Sequence, residues 1–295
     1  MKAPDFIYCR AESLADALRL KAEHGDQARW LAGGQSLLAA LAFRLSEPNA
    51  LIDISRIDAL RGITLDAGTV RIGAGTTHAA LGASDIIKRH VPLLAEAVPL
   101  IAHAAIRNRG TIGGSLAFAD PAAELPACCV ALEATLIAVG PKGQRRIAAN
   151  AFFEGVYATA LRDDELLTSI EIVAAQADEQ HALVELTRRS GDYAMAGIAA
   201  VLRGDAAEIK HARLVFFALG DRPVAAAKAA ALLVGKPLDE AQIALAATAS
   251  AQEIDPAGDL NGGPEMKTHL AQVVLSRALR QIMTRAIVTA ERTAA

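Results

Sequence analysis

The chain has 295 residues, which is enough for two or three subdomains with separate buried cores. Hydrophobic residues make up 53% and aromatic residues only 4%, so the cores must be built from Ala, Leu, Ile and Val. The formal net charge of -3 gives no global electrostatic reason to bind nucleic acid. The sequence shows no signal-peptide core and no apolar stretch long enough to span a bilayer. We therefore expect a soluble cytoplasmic protein without a transmembrane segment.

The three cysteines, Cys9, Cys128 and Cys129, do not form a disulfide framework. Adjacent Cys128 and Cys129 cannot easily share one tetrahedral site, and the spacing does not match iron–sulfur or zinc ligands. We interpret the three residues as small buried hydrophobes and expect no metal site.

Residues 1–55 predict a small α/β subdomain. Ser13 is the expected N-cap of its first helix, because its hydroxyl can accept a hydrogen bond from a free backbone N–H. The order strand, helix, strand, helix, strand is typical of an α/β unit. The expected strands are residues 6–8, 29–32 and 51–54, and the expected helices are residues 14–23 and 37–45.

Residues 56–175 predict a second subdomain of the α+β class. Two alternating segments, 61–65 and 69–72, indicate a hairpin around Asp66-Ala67-Gly68. The other expected elements are helices at residues 78–87, from Pro92 onward and at 124–132, and strands at residues 135–139, 145–147 and 166–172.

Residues 176–295 predict a third domain, which follows a polar linker at residues 174–180. The expected elements are antiparallel strands at residues 182–188, 194–202 and 212–219, then helices at residues 224–233, 239–249 and from 266 to the C-terminus. Because the strands precede the helices, we expect an α+β domain whose sheet is covered on one face.

Two double-glycine loops carry the clearest functional signal, one at residues 32–36 and one at residues 111–115. Paired glycines leave backbone N–H groups open to a ligand and tolerate positive φ. The first loop lies between a predicted strand and a predicted helix, whose free N–H groups and dipole favour an anion. Taken alone, this loop is equally well explained as a tight turn between strand and helix. Ser36 could donate a hydrogen bond to the anion through its hydroxyl, or it could serve only as the N-cap of the helix.

The second loop contains more charged, glycine and hydroxyl residues than a structural turn needs. Residues 107–115 combine two cations, three glycines and two hydroxyls, and Asp120 and Glu124 follow shortly after. We therefore favour a functional interpretation of this segment. The sequence leaves open whether Arg107 and Arg109 face a phosphate, a partner subunit or solvent. His78 and His103 are interpreted as cap or packing residues.

Seven segments carry a family resemblance when they are taken in order: residues 32–37, 51–54, 72–78, 107–121, 152–155, 159–161 and 188–194. Together they resemble the FAD-binding medium subunit of the molybdenum hydroxylases, the carbon monoxide dehydrogenase and xanthine dehydrogenase family. The resemblance covers essentially the whole chain. It implies an α+β protein with a PCMH-type (vanillyl-alcohol-oxidase-like) two-subdomain FAD-binding fold, followed by an α+β C-terminal domain with a three-stranded antiparallel sheet and helices.

The resemblance also implies a set of FAD-binding residues. Two loops are expected to cradle the pyrophosphate from opposite sides: Ala32, Gly33, Gly34, Gln35, Ser36 and Leu37 in the first, and Thr111, Ile112, Gly113, Gly114 and Ser115 in the second. Glu124 matches an acidic position on the ribose or adenine side, and Ile101 and Leu161 match apolar contacts to the adenine and the ring system. Tyr193 is expected beside the isoalloxazine, with Arg188 or Val184 on the same segment.

Gln35 departs from the family pattern, because close relatives often have His there. A histidyl–flavin bond at that loop is therefore impossible, and FAD should be non-covalent. The chain also lacks an inserted cysteine-rich loop, so FAD is expected to be its only redox centre.

The resemblance implies an electron-transfer subunit with no catalytic side chain of its own, and no Ser/His/Asp or Cys/His constellation stands out. Expected partners are a molybdenum-cofactor large subunit and a 2Fe-2S small subunit, in a dimer of heterotrimers. The sequence does not decide whether the external electron acceptor is NAD, a quinone or oxygen. Two alternatives remain, a stand-alone PCMH-type flavin oxidoreductase and an assembly subunit that no longer binds FAD.

Overall fold

The computed structural model describes residues 3–205 and 207–294, with side chains in the last helix described to residue 285. The first subdomain contains β1 (Ile7–Arg10), α1 (Leu14–His24), β2 (Ala28–Leu31), α2 (Leu37–Ala42) and β3 (Ala50–Asp53). The strands form a parallel sheet in the order β1-β3-β2. The predicted α/β elements are confirmed, although α2 ends earlier than expected. Ser13 caps α1 by accepting a hydrogen bond from the Asp16 N–H at 3.1 Å.

The second subdomain is built on an antiparallel sheet in the order β4-β5-β10-β6-β7, with helices inserted between β5 and β6. Its strands are β4 (Ile63–Asp66), β5 (Thr69–Gly73), β6 (Thr135–Gly140), β7 (Gly143–Ala148), β8 (Phe153–Gly155), β9 (Ala158–Thr159) and β10 (Leu166–Val173). Its helices are α3 (His78–Ala83), α4 (Asp85–His90), α5 (Pro92–Ala97), α6 (Ala104–Arg107), α7 (Ile112–Phe118) and α8 (Glu124–Ala131).

Two expectations in this region were wrong. The single helix predicted over residues 78–87 is two helices, because Ser84 ends α3 and caps α4 through the Ile87 N–H at 3.3 Å. The second glycine loop is the first turn of α7, with Thr111 as its N-cap. Glycine is a poor helix former by about 1 kcal/mol per residue, so the pattern of residues 112–115 did not predict a helix.

The C-terminal domain contains β11 (Glu179–Thr187), β12 (Ala194–Gly204), β13 (Ile209–Phe217), β14 (Val224–Ala225), α9 (Ala227–Leu233), α10 (Glu240–Ser250) and α11 (Pro264–Ala294). The three long antiparallel strands are confirmed, and β14 adds a two-residue strand at the edge of the sheet. The helix predicted from residue 224 therefore begins at Ala227. The predicted linker overlaps the start of β11, and the end of the predicted last helix, residue 295, lies outside the described residues.

Both faces of the C-terminal sheet are buried, so the expectation of one covered face was wrong. Ala196 and Ile198 of β12 pack against the helices α9–α11, whereas Ala199 and Val201 belong to the core of the second subdomain. From Ala194 to Leu202 the side chains of β12 are apolar on both faces, which suits a strand between two cores. The sheet therefore joins the C-terminal helices to the rest of the molecule.

Cys128 and Cys129 are buried as predicted, and Cys9 is half-buried. In residues 3–205 and 207–294, no helix combines the length and apolar character needed to cross a bilayer. The same residues contain no cluster of three His, Cys, Asp or Glu side chains arranged to hold a metal ion.

Candidate functional site

The first glycine loop connects β2 to α2 and presents a row of unpaired backbone donors. Gly34 has φ +73°, a conformation that favours glycine. Within the described part of the chain, the N–H groups of residues 33–36 have no acceptor. The Gln35 side chain donates to the Gly33 carbonyl at 3.0 Å, and Ser36 makes no side-chain capping bond. Four consecutive free amides before a helix form a site suited to an anionic group.

The two glycine loops lie directly against each other. A Cβ built on Gly33 would lie 2.2 Å from the Arg109 carbonyl oxygen and 2.8 Å from the Gly110 Cα. A Cβ on Gly114 would lie 3.8 Å from the Ala32 Cβ. Glycine at residue 33 therefore allows a backbone approach that a side chain would prevent.

The second loop differs from the expectation of bare amides on both sides. Four amides have acceptors inside the chain at 2.8–3.1 Å: Ile112 donates to the Thr76 carbonyl, Gly113 to the Ala74 carbonyl, Gly114 to the Thr111 hydroxyl and Ser115 to the Thr111 carbonyl. A Cβ on Gly113 would lie 2.4 Å from the Ala74 Cβ, so packing explains this glycine. The Thr111 and Ser115 hydroxyls are the polar side-chain groups of this loop.

His78 lies behind the second loop. Its backbone N–H donates to the Gly110 carbonyl at 2.9 Å, and a Cβ on Gly110 would lie 3.1 Å from the imidazole ring. The imidazole is buried, and neither ring nitrogen has a hydrogen-bond partner among the described residues. Burial lowers the pKa of His78 to about 4, and the Arg107 charge acts in the same direction. His78 is therefore neutral near pH 7, in agreement with a packing role.

Arg107 stabilises the turn that carries Ile101. Its guanidinium donates to the Ile101 and Ala102 carbonyls at 2.8 and 3.0 Å. Ala102 has φ +41°, and a Cβ on Gly191 would lie 2.7 Å from the Ala102 carbonyl oxygen. The β11–β12 connection of the C-terminal domain thus presses on this turn. The Ile101 side chain packs in the core, while Arg109 is exposed.

Glu124 of the second subdomain and Glu185 of the C-terminal domain lie close enough for the charge of Glu124 to act on Glu185. Burial raises the pKa of Glu124 to about 7. Burial also raises the pKa of Glu185 to about 7, with a further contribution from the negative charge of Glu124. One carboxylate oxygen of Glu185, Oε2, is buried without a partner among the described residues. Burial raises the pKa of nearby Asp120 as well.

Glu185 was missed in the sequence analysis, although strand alternation gives a signal for it. Val184 and Leu186 pack on the helical core of the C-terminal domain, and Leu183 packs in the core of the second subdomain. Successive side chains of a strand point to opposite faces, so Glu185 shares the face of Leu183. A glutamate on the buried face of a strand is the detail that marks this position.

Tyr193 and Tyr157 are exposed aromatic residues next to this acidic group. Partial burial of the Tyr193 hydroxyl raises its pKa, and the charges of Asp120, Tyr157 and Glu124 add to the effect. The Tyr157 ring packs on Phe118 with the ring centroids 4.9 Å apart. Tyr193 was expected from the family resemblance, whereas no sequence signal marked Tyr157.

Leu161 and Arg188, two other predicted residues, have different surroundings. Leu161 is half-buried against the core of the second subdomain, and its N–H donates to the Thr159 hydroxyl at 3.4 Å. Arg188 is exposed, and its guanidinium donates to the Leu260 carbonyl at 3.2 Å. The structure thus connects Arg188 to the loop before α11 and not to the glycine loops.

Comparisons with known proteins agree with this geometry. Residues 4–173 match the family model described as the FAD binding domain in molybdopterin dehydrogenase, and residues 181–282 match the CO dehydrogenase flavoprotein C-terminal domain. The chain is 37% identical to the 6-hydroxypseudooxynicotine dehydrogenase complex subunit alpha of Paenarthrobacter nicotinovorans, over 99% of each chain. It is also 37% identical to the carbon monoxide dehydrogenase medium chain of Hydrogenophaga pseudoflava, over 97% of this chain and 99% of the relative.

Solved structures give the same result. A carbon monoxide dehydrogenase structure from Hydrogenophaga pseudoflava matches with a TM-score of 0.95 and 39% identity, over 97% of this chain and all of the other. The quinoline 2-oxidoreductase of Pseudomonas putida 86 matches with a TM-score of 0.92 and 35% identity, over 97% of this chain and 99% of the other. The expected flavin-binding fold followed by an α+β domain is confirmed. The chain therefore belongs to the family of FAD-binding medium subunits of molybdenum-containing dehydrogenases, which are oxidoreductases.

Proposed function

We propose that this chain binds FAD without a covalent bond and works as the electron-transfer subunit of a molybdenum hydroxylase complex. The observation that carries the proposal is the row of four free amides at residues 33–36, held against the second glycine loop. A diphosphate needs such donors, and the amides of this half-exposed loop before α2 are open to a ligand.

The first loop would supply most of the hydrogen bonds to the diphosphate through its amides, from Ala32 to Leu37. The second loop would supply the Thr111 and Ser115 hydroxyls, while glycines at its N-terminal turn permit the close packing on which the site depends. Both loops would therefore belong to the site, the first through backbone amides and the second through side-chain hydroxyls. Gln35 carries a side-chain amide, which is not a nucleophile, and this supports a non-covalent cofactor.

The remaining residues would surround the ends of the dinucleotide. The resemblance gives Glu124 the ribose or adenine side, but its charge acts on Tyr193, so we propose that Glu124 lies at the same end as Tyr193, which would lie beside the isoalloxazine. Ile101 and Leu161 would provide apolar surface. Arg188 would contribute to the site indirectly, through the β11–β12 connection that it shares with Tyr193. We also propose subdomain boundaries near residues 55 and 175, so that the cofactor lies between the two N-terminal parts.

The relatives' names support the rest of the assignment. One is a subunit of a dehydrogenase complex and another is a medium chain. We infer a molybdenum-cofactor large subunit and a 2Fe-2S small subunit as partners, in a cytoplasmic dimer of heterotrimers. Bound FAD would supply two-electron redox chemistry, taking electrons from iron–sulfur clusters and delivering them to NAD, a quinone or oxygen. This chain's own residues would position the cofactor and limit access of water.

The test is a pull-down of the tagged chain from its native host, with flavin and metal analysis of the captured material. The proposal predicts about one FAD per chain, released by denaturation, together with molybdenum, iron and two further polypeptides. An active flavoprotein that purifies alone would instead support a stand-alone oxidoreductase. A chain that takes up no flavin after reconstitution would contradict the proposed cofactor function.

A further inference from the structure

Helix α7 connects the glycine loop to an aromatic region at its other end. Thr111 and the glycines occupy its N-terminal turn, and Phe118 is its last residue. At about 1.5 Å per residue, this seven-residue helix is roughly 10 Å long. In FAD a short polyol chain separates the diphosphate from the tricyclic ring. A ligand whose diphosphate lies at the N-terminal turn can therefore place its ring near Phe118.

Just beyond α7, two residues that are hydrogen-bonded to each other have a strained backbone conformation. Ala119 has φ +52° and Tyr157, in the β8–β9 connection, has φ +55°. Residues other than glycine rarely adopt this left-handed conformation, and a bulky residue such as tyrosine is an outlier there. The Tyr157 N–H donates to the Ala119 carbonyl at 3.2 Å. This bond fixes the hairpin to the C-terminal end of α7.

The contacts with Ala119 and Phe118 hold the Tyr157 side chain in a defined but exposed position. The ring packs on Phe118 at 4.9 Å with an interplanar angle of 56°, yet 59% of the Tyr157 residue remains accessible. Strained conformations persist where they orient a functional group. A tyrosine that served only the core would not need an unfavourable backbone conformation to remain largely in solvent.

Tyr157 lies close enough to Tyr193 for its charge to act on it. Tyr193 is 65% exposed and lies on the β11–β12 connection, which presses on Ala102 through Gly191. Both phenol groups lie close enough to Asp120 for its charge to act on them, and Tyr157 acts on Tyr193. The hairpin of the second subdomain and the loop of the C-terminal domain thus present two exposed phenol rings beyond the end of α7.

We propose that Tyr157 is a second aromatic binding residue for the isoalloxazine ring of FAD, which it encloses together with Tyr193. The inference rests on the proposed FAD function and extends it to a residue outside the glycine loops. Stacking of a flat heterocycle on an aromatic side chain is favourable for any π-face, and a phenol close to the ring also quenches flavin fluorescence by electron donation.

The experiment compares Tyr157→Leu, Tyr157→Phe and wild type in the full chain, with FAD as the probe. Dissociation constants come from titration of the flavin-free chain, and bound-flavin fluorescence is measured at saturation. Phe6→Leu serves as the control, because Phe6 is an exposed aromatic residue on the first subdomain. Thermal unfolding of the flavin-free variants verifies that each chain remains folded.

We expect Tyr157→Leu to raise the dissociation constant for FAD about tenfold, the scale of one lost aromatic stack, and to increase bound-flavin fluorescence. Tyr157→Phe should restore most of the affinity but leave the fluorescence above that of wild type, because only the Tyr193 phenol then quenches the flavin. Phe6→Leu should match wild type. A folded Tyr157→Leu chain with wild-type affinity and wild-type fluorescence would overturn the inference, and so would an equal loss in Phe6→Leu. If wild type itself binds no FAD, the proposed function fails before Tyr157 is tested.

Discussion

Replacing Gly33 with alanine should force the two glycine loops apart. The added Cβ would lie 2.2 Å from the Arg109 carbonyl oxygen and 2.8 Å from the Gly110 Cα, and both contacts are with backbone. No side chain can rotate away to relieve them. The loops would have to separate by about 1 Å to reach an ordinary van der Waals distance.

Two effects follow from that separation. Overpacking of this kind costs about 1–3 kcal/mol of folding stability, which urea unfolding of the flavin-free chain measures. A diphosphate that spans both loops would also lose one or two charge-assisted hydrogen bonds, each worth about 1.5–3 kcal/mol. We therefore expect the dissociation constant for FAD to rise roughly 100-fold or more, measured by titration of the same variant.

Gly263→Ala is the matched control. A Cβ there has no neighbour within 4 Å, and the residue does not have positive φ. This variant should keep wild-type stability and FAD affinity. If Gly33→Ala also keeps both, the close approach of the loops does not determine the site, and the reasoning from Gly33 is refuted.

Three further changes test the charged groups around the site by urea unfolding of the flavin-free chain. Glu185→Gln should be about 1–2 kcal/mol more stable than wild type at pH 8 and equal to it below pH 4.5, because the raised pKa of Glu185 gives stability that is lost as pH rises through 7. An equal gain at both pH values would contradict this. Between pH 6.5 and 4.5 the free energy of unfolding of wild type should fall about 2 kcal/mol more than that of His78→Phe. The reason is that the lowered pKa of His78 gives stability that is lost as pH falls from 6.5 through 4. Parallel pH profiles of the two chains would contradict this. Arg107→Met should cost about 2 kcal/mol through lost bonds to two carbonyls, whereas exposed Arg109→Met should cost little; similar costs for both would count against the role of Arg107.

Much of the fold follows from local sequence signals. Apolar periodicity, the Ser13 cap and the glycine loops identify the strands and helices of the first subdomain. The alternating strands of the second subdomain and the three long strands of the C-terminal domain are equally visible. These elements are predictable because propensity, capping and burial favour the same structure.

Helix α7 could not be predicted in this way. Gly113 and Gly114 disfavour a helix locally, and the helix forms because Thr111 caps it and Gly113 packs on Ala74. The same contacts pair the amides that the sequence suggested were free. Tertiary packing therefore changed both the secondary structure and the donor set of the second loop.

Tyr157 and Glu185 were missed for a related reason. Neither belongs to a glycine loop, and each becomes significant only through a neighbour distant in sequence, Ala119 for Tyr157 and Glu124 for Glu185. A left-handed backbone at a tyrosine has no composition signal. A glutamate on a strand becomes unusual only once both faces of the sheet are known to be buried.

The buried C-terminal sheet has a consequence for the site. Leu183 and Val201 contribute to the core of the second subdomain, so the strands that carry them cannot move independently of it. The same strands position Glu185 next to Glu124 and lead to the loop of Tyr193. A domain attached only by a linker would leave these side chains free to shift relative to the glycine loops. Shared packing fixes them instead, because close-packed cores resist small displacements. The C-terminal sheet is therefore packed as one unit with the subdomain that carries the second glycine loop.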